Sequence, residues 1–230
     1  GCGVDAGVTR REELAANLAD VERRIAAACS AAGRERAEVT LVAITKTWPA
    51  SDAALLRDLG VTDLGENRDQ EAAAKAREVT GVRWHFVGQL QTNKAASVAR
   101  YADVVHAVDR EHLVTALSAG AVRAGRVLEA LVQVSLDGDP HRGGATPDLV
   151  PQLADLVEQA EGLRLGGVMA VAPLGLDPAV AFARLAEVAA ALRVQHPGAT
   201  TVSAGMSGDL EAAVAAGATH VRVGTAILGP

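Results

Sequence analysis

Apolar and polar positions recur along this chain with two periods, and the switching between them predicts the fold. Residues 9–32 carry Leu14, Leu18, Val21, Ile25 and Ala28 at helical spacing, with Arg and Glu on the other side. The spacing predicts a long amphipathic helix, opened near Thr9 with Glu12 and Glu13 in its first turn and ended by Gly33. After it, short β-branched runs predict strands at 40–46, 63–65, 83–87, 104–107, 128–135, 164–170, 201–203 and 220–223. Helical patterns fall between them at 51–58, 68–79, 92–100, 110–124, 147–159, 178–195 and 207–215. Strands alternating with helices imply βαβ units and a parallel sheet. Eight of them in 230 residues favour a single closed α/β barrel, (β/α)8, with one extra N-terminal helix. An open doubly wound sheet is weakened by the absence of Gly-x-Gly-x-x-Gly after the first strand. One domain over residues 9–230 is expected, with residues 1–8 disordered unless packed.

Composition narrows the function classes. Aromatic residues make up only 2% of the chain, so the core must rest on Ala, Val and Leu in close helix-on-sheet contact. A net charge of -6 argues against a nucleic-acid partner recognised through a basic surface. No apolar run approaches a membrane span, and the N-terminus lacks the basic-then-apolar layout of a signal peptide. Gly1-Cys2-Gly3 would suit a lipid anchor only if an apolar segment preceded it. Cys2 and Cys29 have no metal-ligand spacing and demand no oxidising compartment. A cytoplasmic protein without a membrane partner is the expectation.

The run VTLVAITK at 39–46 reads as a strand buried on both faces that ends on a lysine. Lysine is scarce: Lys46, Lys75 and Lys94 stand against nineteen arginines. Lys75 lies in a polar, alanine-rich helical pattern where solvation accounts for it. Lys46 is different, because an ammonium at the end of a buried strand is costly unless paired, neutral or covalently occupied. The plainer reading is a strand-end lysine that snorkels to water. In barrels of this type chemistry sits at the carboxyl ends of the strands. There Glu66 and Asn67 follow the second strand, His85 and then Gln89, Gln91, Asn93 and Lys94 belong to the third, and Asp137, Asp139, His141 and Arg142 follow the fifth. Loops at these ends are normally polar, and Asn or Asp there often only caps a helix.

The last two loops are more specific. SAGMSGD at 203–209 follows the seventh strand and VGTA at 223–226 the eighth. Glycines let backbone amides approach an anion, a helix start adds unpaired N–H groups, and Ser207 and Thr225 add hydroxyls. Ser207 is equally placed as a helix cap. A phosphate site between these loops is the favoured reading. Alternation in the last strand sets Val221 and Val223 on one face and Arg222 on the other, toward the interior. A lysine able to form a Schiff base, an anion cradle and a fixed arginine together outline a pyridoxal phosphate pocket.

The blocks LVAITKTWPA, LGENRDQEAAAK, WHFVGQLQTNK, HAVDR, RLGGVMAVAP and SAGMSGDLEAAVAAGATHVRVGTAILG resemble the YggS/PROSC family of pyridoxal phosphate homeostasis proteins, from about residue 9 onward. The resemblance implies a fold-type III, alanine-racemase-like barrel without the second β domain, holding pyridoxal 5'-phosphate as a Schiff base. By motif position Lys46 matches the Schiff-base lysine and Arg222 the arginine facing the pyridine nitrogen. Ser207, Gly224 and Thr225, with the Met206 backbone, match the phosphate cradle. Asn67 matches an asparagine lining the pocket, and His85 is placed in the same cavity. Where many relatives carry Lys-x-Gly, this chain has His141-Arg142-Gly143-Gly144. The implied role is intracellular cofactor homeostasis, limiting the free aldehyde and meeting pyridoxal-phosphate-dependent apoenzymes transiently; a monomer is expected, since nothing in the sequence suggests an obligate dimer. An amino-acid racemase is the first alternative. Against it, an arginine at the ring nitrogen makes a poorer electron sink, and only His85 is at hand as a second acid–base group. The one tyrosine, Tyr101, falls in a helix or just after it. A cofactor-free Schiff-base aldolase is the second alternative, and it gives Arg222 no obvious task.

Overall fold

The apolar run Thr40–Ile44 forms β1, and seven further strands follow it around a closed parallel barrel in chain order. They are Asp63–Glu66 (β2), Arg83–Phe86 (β3), Val104–Val108 (β4), Leu128–Gln133 (β5), Leu163–Met169 (β6), Thr201–Ser203 (β7) and His220–Val223 (β8). The barrel closes where β8 pairs with β1, Thr40 opposite His220 and Val42 opposite Arg222. This computed structural model describes residues 7–230; residues 1–6, which hold Cys2 and most of the expected disordered segment, lie outside the described residues. Among the described residues the α-helices are Arg10–Ala31 (α1), Ala50–Asp58 (α2), Asp69–Glu78 (α3), Ala95–Val98 (α4), Glu111–Ala124 (α5), Val150–Gln159 (α6), Pro178–Gln195 (α7), Leu210–Ala215 (α8) and Thr225–Leu228 (α9). No helix among them is long and apolar enough to cross a membrane.

The single-barrel expectation matches this architecture, and the differences lie at element ends. β1 stops at Ile44 rather than at Lys46, because Thr45–Trp48 leaves the ladder in a turn. The helix expected from Ser207 starts only at Leu210: Asp209 Oδ1 accepts from the Met206 amide at 2.7 Å and folds 206–209 into a turn. The segments starting at Thr92 and Pro147 open with single 3-10 turns before becoming α-helical.

The extra helix α1 seals the β8–β1 seam. Thr9 caps it by accepting from the Glu12 amide, and Gly33 leaves it in the left-handed region at φ +66°. Leu14, Val21 and Ile25 share one buried cluster with Leu41, Ala43, Val221 and Val223. Those strand residues are the outward-facing set, so Val42 and Arg222 face inward, as alternation predicts. Polar bonds then fasten α1 to the segments that follow β1, β7 and β8. Arg10 donates to Asp52 at 2.9 Å and to the Leu228 carbonyl at 3.0 Å; Arg24 donates to the Ser207 carbonyl at 2.8 Å. The barrel lumen is unusually polar. Beside the small apolar cluster Val104, Leu131 and Met169, it buries Asp63, His85, His106, Ser203 and Arg222.

Candidate functional site

Arg222 is firmly held near the strand ends. It is only 5% exposed, donates from Nη1 to Ser203 Oγ at 2.7 Å and from Nη2 to the Ala170 carbonyl at 3.0 Å. Among the described residues no carboxylate reaches ion-pair distance of it. Burial lowers its pKa to about 10, with Asp209 opposing from further off. A buried guanidinium satisfied only by neutral acceptors has donors to spare for an electron-rich ligand.

Lys46 lies four residues beyond the Val42–Arg222 register, at most about 13 Å along the strand direction. It is exposed, on the turn after β1. Its two neighbours are both pinned. Lys75 Nζ donates to the Thr45 carbonyl at 2.6 Å, to Glu66 Oε1 at 2.6 Å and to Glu71 Oε1 at 2.8 Å. Thr45 Oγ1 donates to the same Glu66 oxygen at 2.7 Å, and the Thr47 amide donates to Glu71 Oε1. Thr47 sits at φ +68°, where a β-branched residue costs about 1 kcal/mol or more. Lys75 is therefore not a solvated surface lysine as its pattern suggests. It is 5% exposed, because α3 lays that face against the end of β2, where Glu66 is 1% exposed. The clue in the sequence was Glu71 four residues before Lys75, with Glu66 ending a buried strand. Glu66 has its pKa raised, chiefly by burial, against the opposing bonds from Lys75 and Thr45. Its Oε2 has no partner among the described residues.

The two glycine-containing loops meet beside this turn. Ser207 Oγ accepts from the Ala226 amide at 3.2 Å, which ties the loops together and leaves the Ser207 O–H proton as a donor. Gly224 has an ordinary φ of -117°, but a Cβ there would stand 3.2 Å from the Ile44 carbonyl oxygen. It is the contact that brings β1's end against the last loop. Gly205 needs both freedom and space: φ is +99°, and a Cβ would come within 2.7 Å of the Ala213 Cβ. Gly205→Ala is expected to destabilise the protein by about 2 kcal/mol, read from urea midpoints, by forcing the 203–209 loop away from α8. Thr225 is exposed at the start of α9, and the Met206 amide is already taken by Asp209.

Lys46, Met206, Ser207, Arg222, Gly224 and Thr225 are thus brought to one sector, β7–β8–β1. Asn67, just past β2, adjoins that sector; its Oδ1 is buried and has no partner among the described residues. His85 is placed differently. It is 2% exposed inside the lumen, with Nε2 2.7 Å from Asp63 Oδ1 and Nδ1 2.8 Å from His106 Nε2. Sequence reasoning also passed over His106, Ser203 and Asp63. The lone histidine in the otherwise apolar run VVHAV was the available signal. The 141–144 loop is tied to the ends of two strands, Arg142 donating to Asp137 after β5 at 2.9 Å and the Gly144 amide to Asp109 after β4 at 3.0 Å. It borders a cavity of about 270 Å³ at the ends of β3, β5 and β6, lined by Gln89, Gln133 and Met169.

The lumen histidines make the fold acid-sensitive. Burial drives the His106 pKa well below the usual 6.5, and burial with His85 nearby takes His220 down to about 4. Both are neutral in the fold and gain protons on unfolding, so their stabilisation is full above pH 6.5 and is lost as pH falls toward 4. Thermal midpoints are expected to fall steadily across that window, and less steeply in His106→Gln.

The chain is similar to known proteins over nearly its whole length. Residues 16–230 match the family profile described as alanine racemase, N-terminal domain. The chain is 47% identical over 242 residues to the pyridoxal phosphate homeostasis protein of Mycobacterium bovis, covering 96% of this chain and 94% of that one. It is 39% identical over 229 residues to the Escherichia coli protein of the same name, covering 94% and 96%. Among solved structures, PipY of Synechococcus elongatus, determined with pyridoxal phosphate bound, matches with a TM-score of 0.83 at 33% identity, over 94% of this chain and 100% of that one. On this sequence and fold evidence, the chain belongs to the alanine racemase N-terminal domain family and, within it, to the pyridoxal phosphate homeostasis proteins.

Proposed function

We propose that this chain binds pyridoxal 5'-phosphate at the β7–β8–β1 sector and serves intracellular homeostasis of that cofactor, as a cytoplasmic monomer. The observation that carries the reading is Arg222, a buried guanidinium without a carboxylate partner, facing the lumen below an exposed lysine. The residues present fit the group. Lys46 would hold it covalently through Nζ, Ser207, Thr225 and the Gly224 backbone would hold its phosphate, and Arg222 would face its ring nitrogen; the Met206 amide, given to Asp209, is not free for it. Asn67 Oδ1, buried and unpartnered, is an acceptor left over for it. When bound, pyridoxal phosphate supplies an aldehyde carbon open to amines and an electron-withdrawing ring.

The protein's own groups favour holding over turnover. Arg222 only donates, so a ring nitrogen facing it carries no proton and the ring withdraws electrons less. A racemase needs a second positioned acid or base. Tyr101 is committed elsewhere: its hydroxyl donates to Asp69 Oδ1 at 2.9 Å, and burial holds the phenol protonated far above its ordinary range. His85, the other candidate, has both ring nitrogens engaged inside the lumen. The exposure of Lys46 at the mouth supports release to apoenzymes through transient contact.

The test is to mix purified protein with pyridoxal phosphate, desalt it and record the visible spectrum. A retained near-stoichiometric band, with no exchange of amino-acid Cα protons, is expected. A colourless desalted protein contradicts the binding reading, and robust exchange contradicts the non-catalytic one.

A further inference from the structure

Five polar side chains from five strands form one continuous file of hydrogen bonds through the barrel. Arg222 Nη1 reaches Ser203 Oγ at 2.7 Å, and Ser203 Oγ lies 2.9 Å from His106 Nδ1. His106 Nε2 lies 2.8 Å from His85 Nδ1, and His85 Nε2 lies 2.7 Å from Asp63 Oδ1. Each of the five is at most 6% exposed. The lumen of such a barrel is ordinarily filled by Val, Ile and Leu. A polar file in its place is costly unless every member is satisfied.

Its two ends dictate where the protons lie. A guanidinium can only donate, so Ser203 accepts from Arg222. Asp63 is held as a carboxylate, with Thr62 donating to its other oxygen at 2.7 Å and the Arg83 guanidinium 3.7 Å from Oδ1, so His85 Nε2 carries a hydrogen. With one proton on each imidazole, His85 Nδ1 accepts from His106 Nε2–H, and His106 Nδ1 accepts from the Ser203 hydroxyl. Every link then donates the same way, from the cation Arg222 toward the anion Asp63. In the reverse sense His106 would donate to Ser203 Oγ, and the serine proton would be turned out of the file.

We propose that Asp63, His85, His106 and Ser203 are positioning residues for Arg222. The anion at the far end fixes both imidazoles as Nε2–H tautomers. That orientation presents Ser203 to the guanidinium as an acceptor and holds the guanidinium in place as a donor toward the ligand. Only this last step rests on the cofactor reading above; the tautomers belong to the protein alone.

Nitrogen-15 NMR of the histidine side chains, on ligand-free protein, reads the first part. His85 and His106 are expected as Nε2–H tautomers, and isosteric Asp63→Asn is expected to shift both toward a mixture. An Nδ1–H tautomer or a doubly protonated ring in the wild type overturns the proposal, as does an Asp63→Asn spectrum identical to wild type. The second part uses protein loaded with pyridoxal phosphate labelled at the ring nitrogen. His106→Leu breaks the file and is expected to move the ring-nitrogen resonance toward the protonated position. His106→Gln, whose amide can accept from Ser203 and donate to His85, restores it; a fall in melting temperature alone would produce no such pattern. Should His106→Leu fail to fold, Ser203→Ala breaks the neighbouring link. A resonance indifferent to the broken file overturns the positioning role with binding intact. Wild-type protein that shows the expected tautomers yet retains no cofactor overturns the cofactor reading instead.

Discussion

Lys75→Met is expected to lower stability by about 3–5 kcal/mol, the usual cost of leaving one member of a buried ion pair behind. Met matches the lysine stem, so little packing is lost. What remains is Glu66, 1% exposed, with one oxygen already unpartnered and the other now reduced to the bond from Thr45. The pH dependence follows from the sign of its shift. The Glu66 pKa already lies above the usual glutamate range through burial, and the Lys75 bond that opposes the rise is gone in the variant. A carboxyl whose folded pKa is raised is favoured in its protonated form, so the penalty is full above that pKa and shrinks as pH falls through it. Urea midpoints at neutral and mildly acidic pH should therefore show the gap between variant and wild type closing on acidification. A gap that stays constant would place the cost elsewhere. The double variant Lys75→Met/Glu66→Gln should recover more than about 1 kcal/mol, since it removes the stranded charge. Because Lys75 also holds the Thr45 carbonyl, the single variant should retain less cofactor even where it is folded.

Lys46→Ala is expected to do the opposite: little change in melting temperature and a large loss of cofactor. Lys46 is exposed and outside the strand ladder, so no buried partner is stranded by its removal. Loss of the covalent hold should weaken retention by more than about a hundredfold, roughly 3 kcal/mol. Residual binding through the Ser207 and Thr225 loops would remain competitive with inorganic phosphate. Equilibrium dialysis against pyridoxal phosphate separates the cases: unchanged affinity in Lys46→Ala would remove Lys46 from the site.

Much of this arrangement can be read in the sequence. Strand alternation predicts the inward face of Arg222, and the packing of Val221 and Val223 against α1 agrees. The glycine loops after β7 and β8 stand out because glycine supplies both a positive φ at Gly205 and close approach at Gly224. The sequence misleads at Lys75 for a physical reason. An alanine-rich polar helix looks solvated in one dimension, and only the docking of α3 on β2 shows that its lysine meets Glu66 and the carbonyl before Lys46. His106 was passed over similarly, since one histidine within VVHAV does not reveal that its neighbours across the lumen are His85 and Ser203. Local pattern encodes which face a side chain takes. Which groups it finds there depends on strands closing from far apart in the chain, as Arg222 and Val42 do.

The most direct measurement is borohydride reduction of the protein mixed with pyridoxal phosphate, followed by peptide mapping of the labelled lysine. The three lysines differ sharply: Lys75 is buried and spends all three of its ammonium hydrogens on the Thr45 carbonyl, Glu66 and Glu71, while Lys46 and Lys94 are exposed. Label confined to the peptide containing Lys46, at about one per chain, is the expected result. Label on Lys94, or none at all after desalting, would contradict a cofactor site at the end of β1.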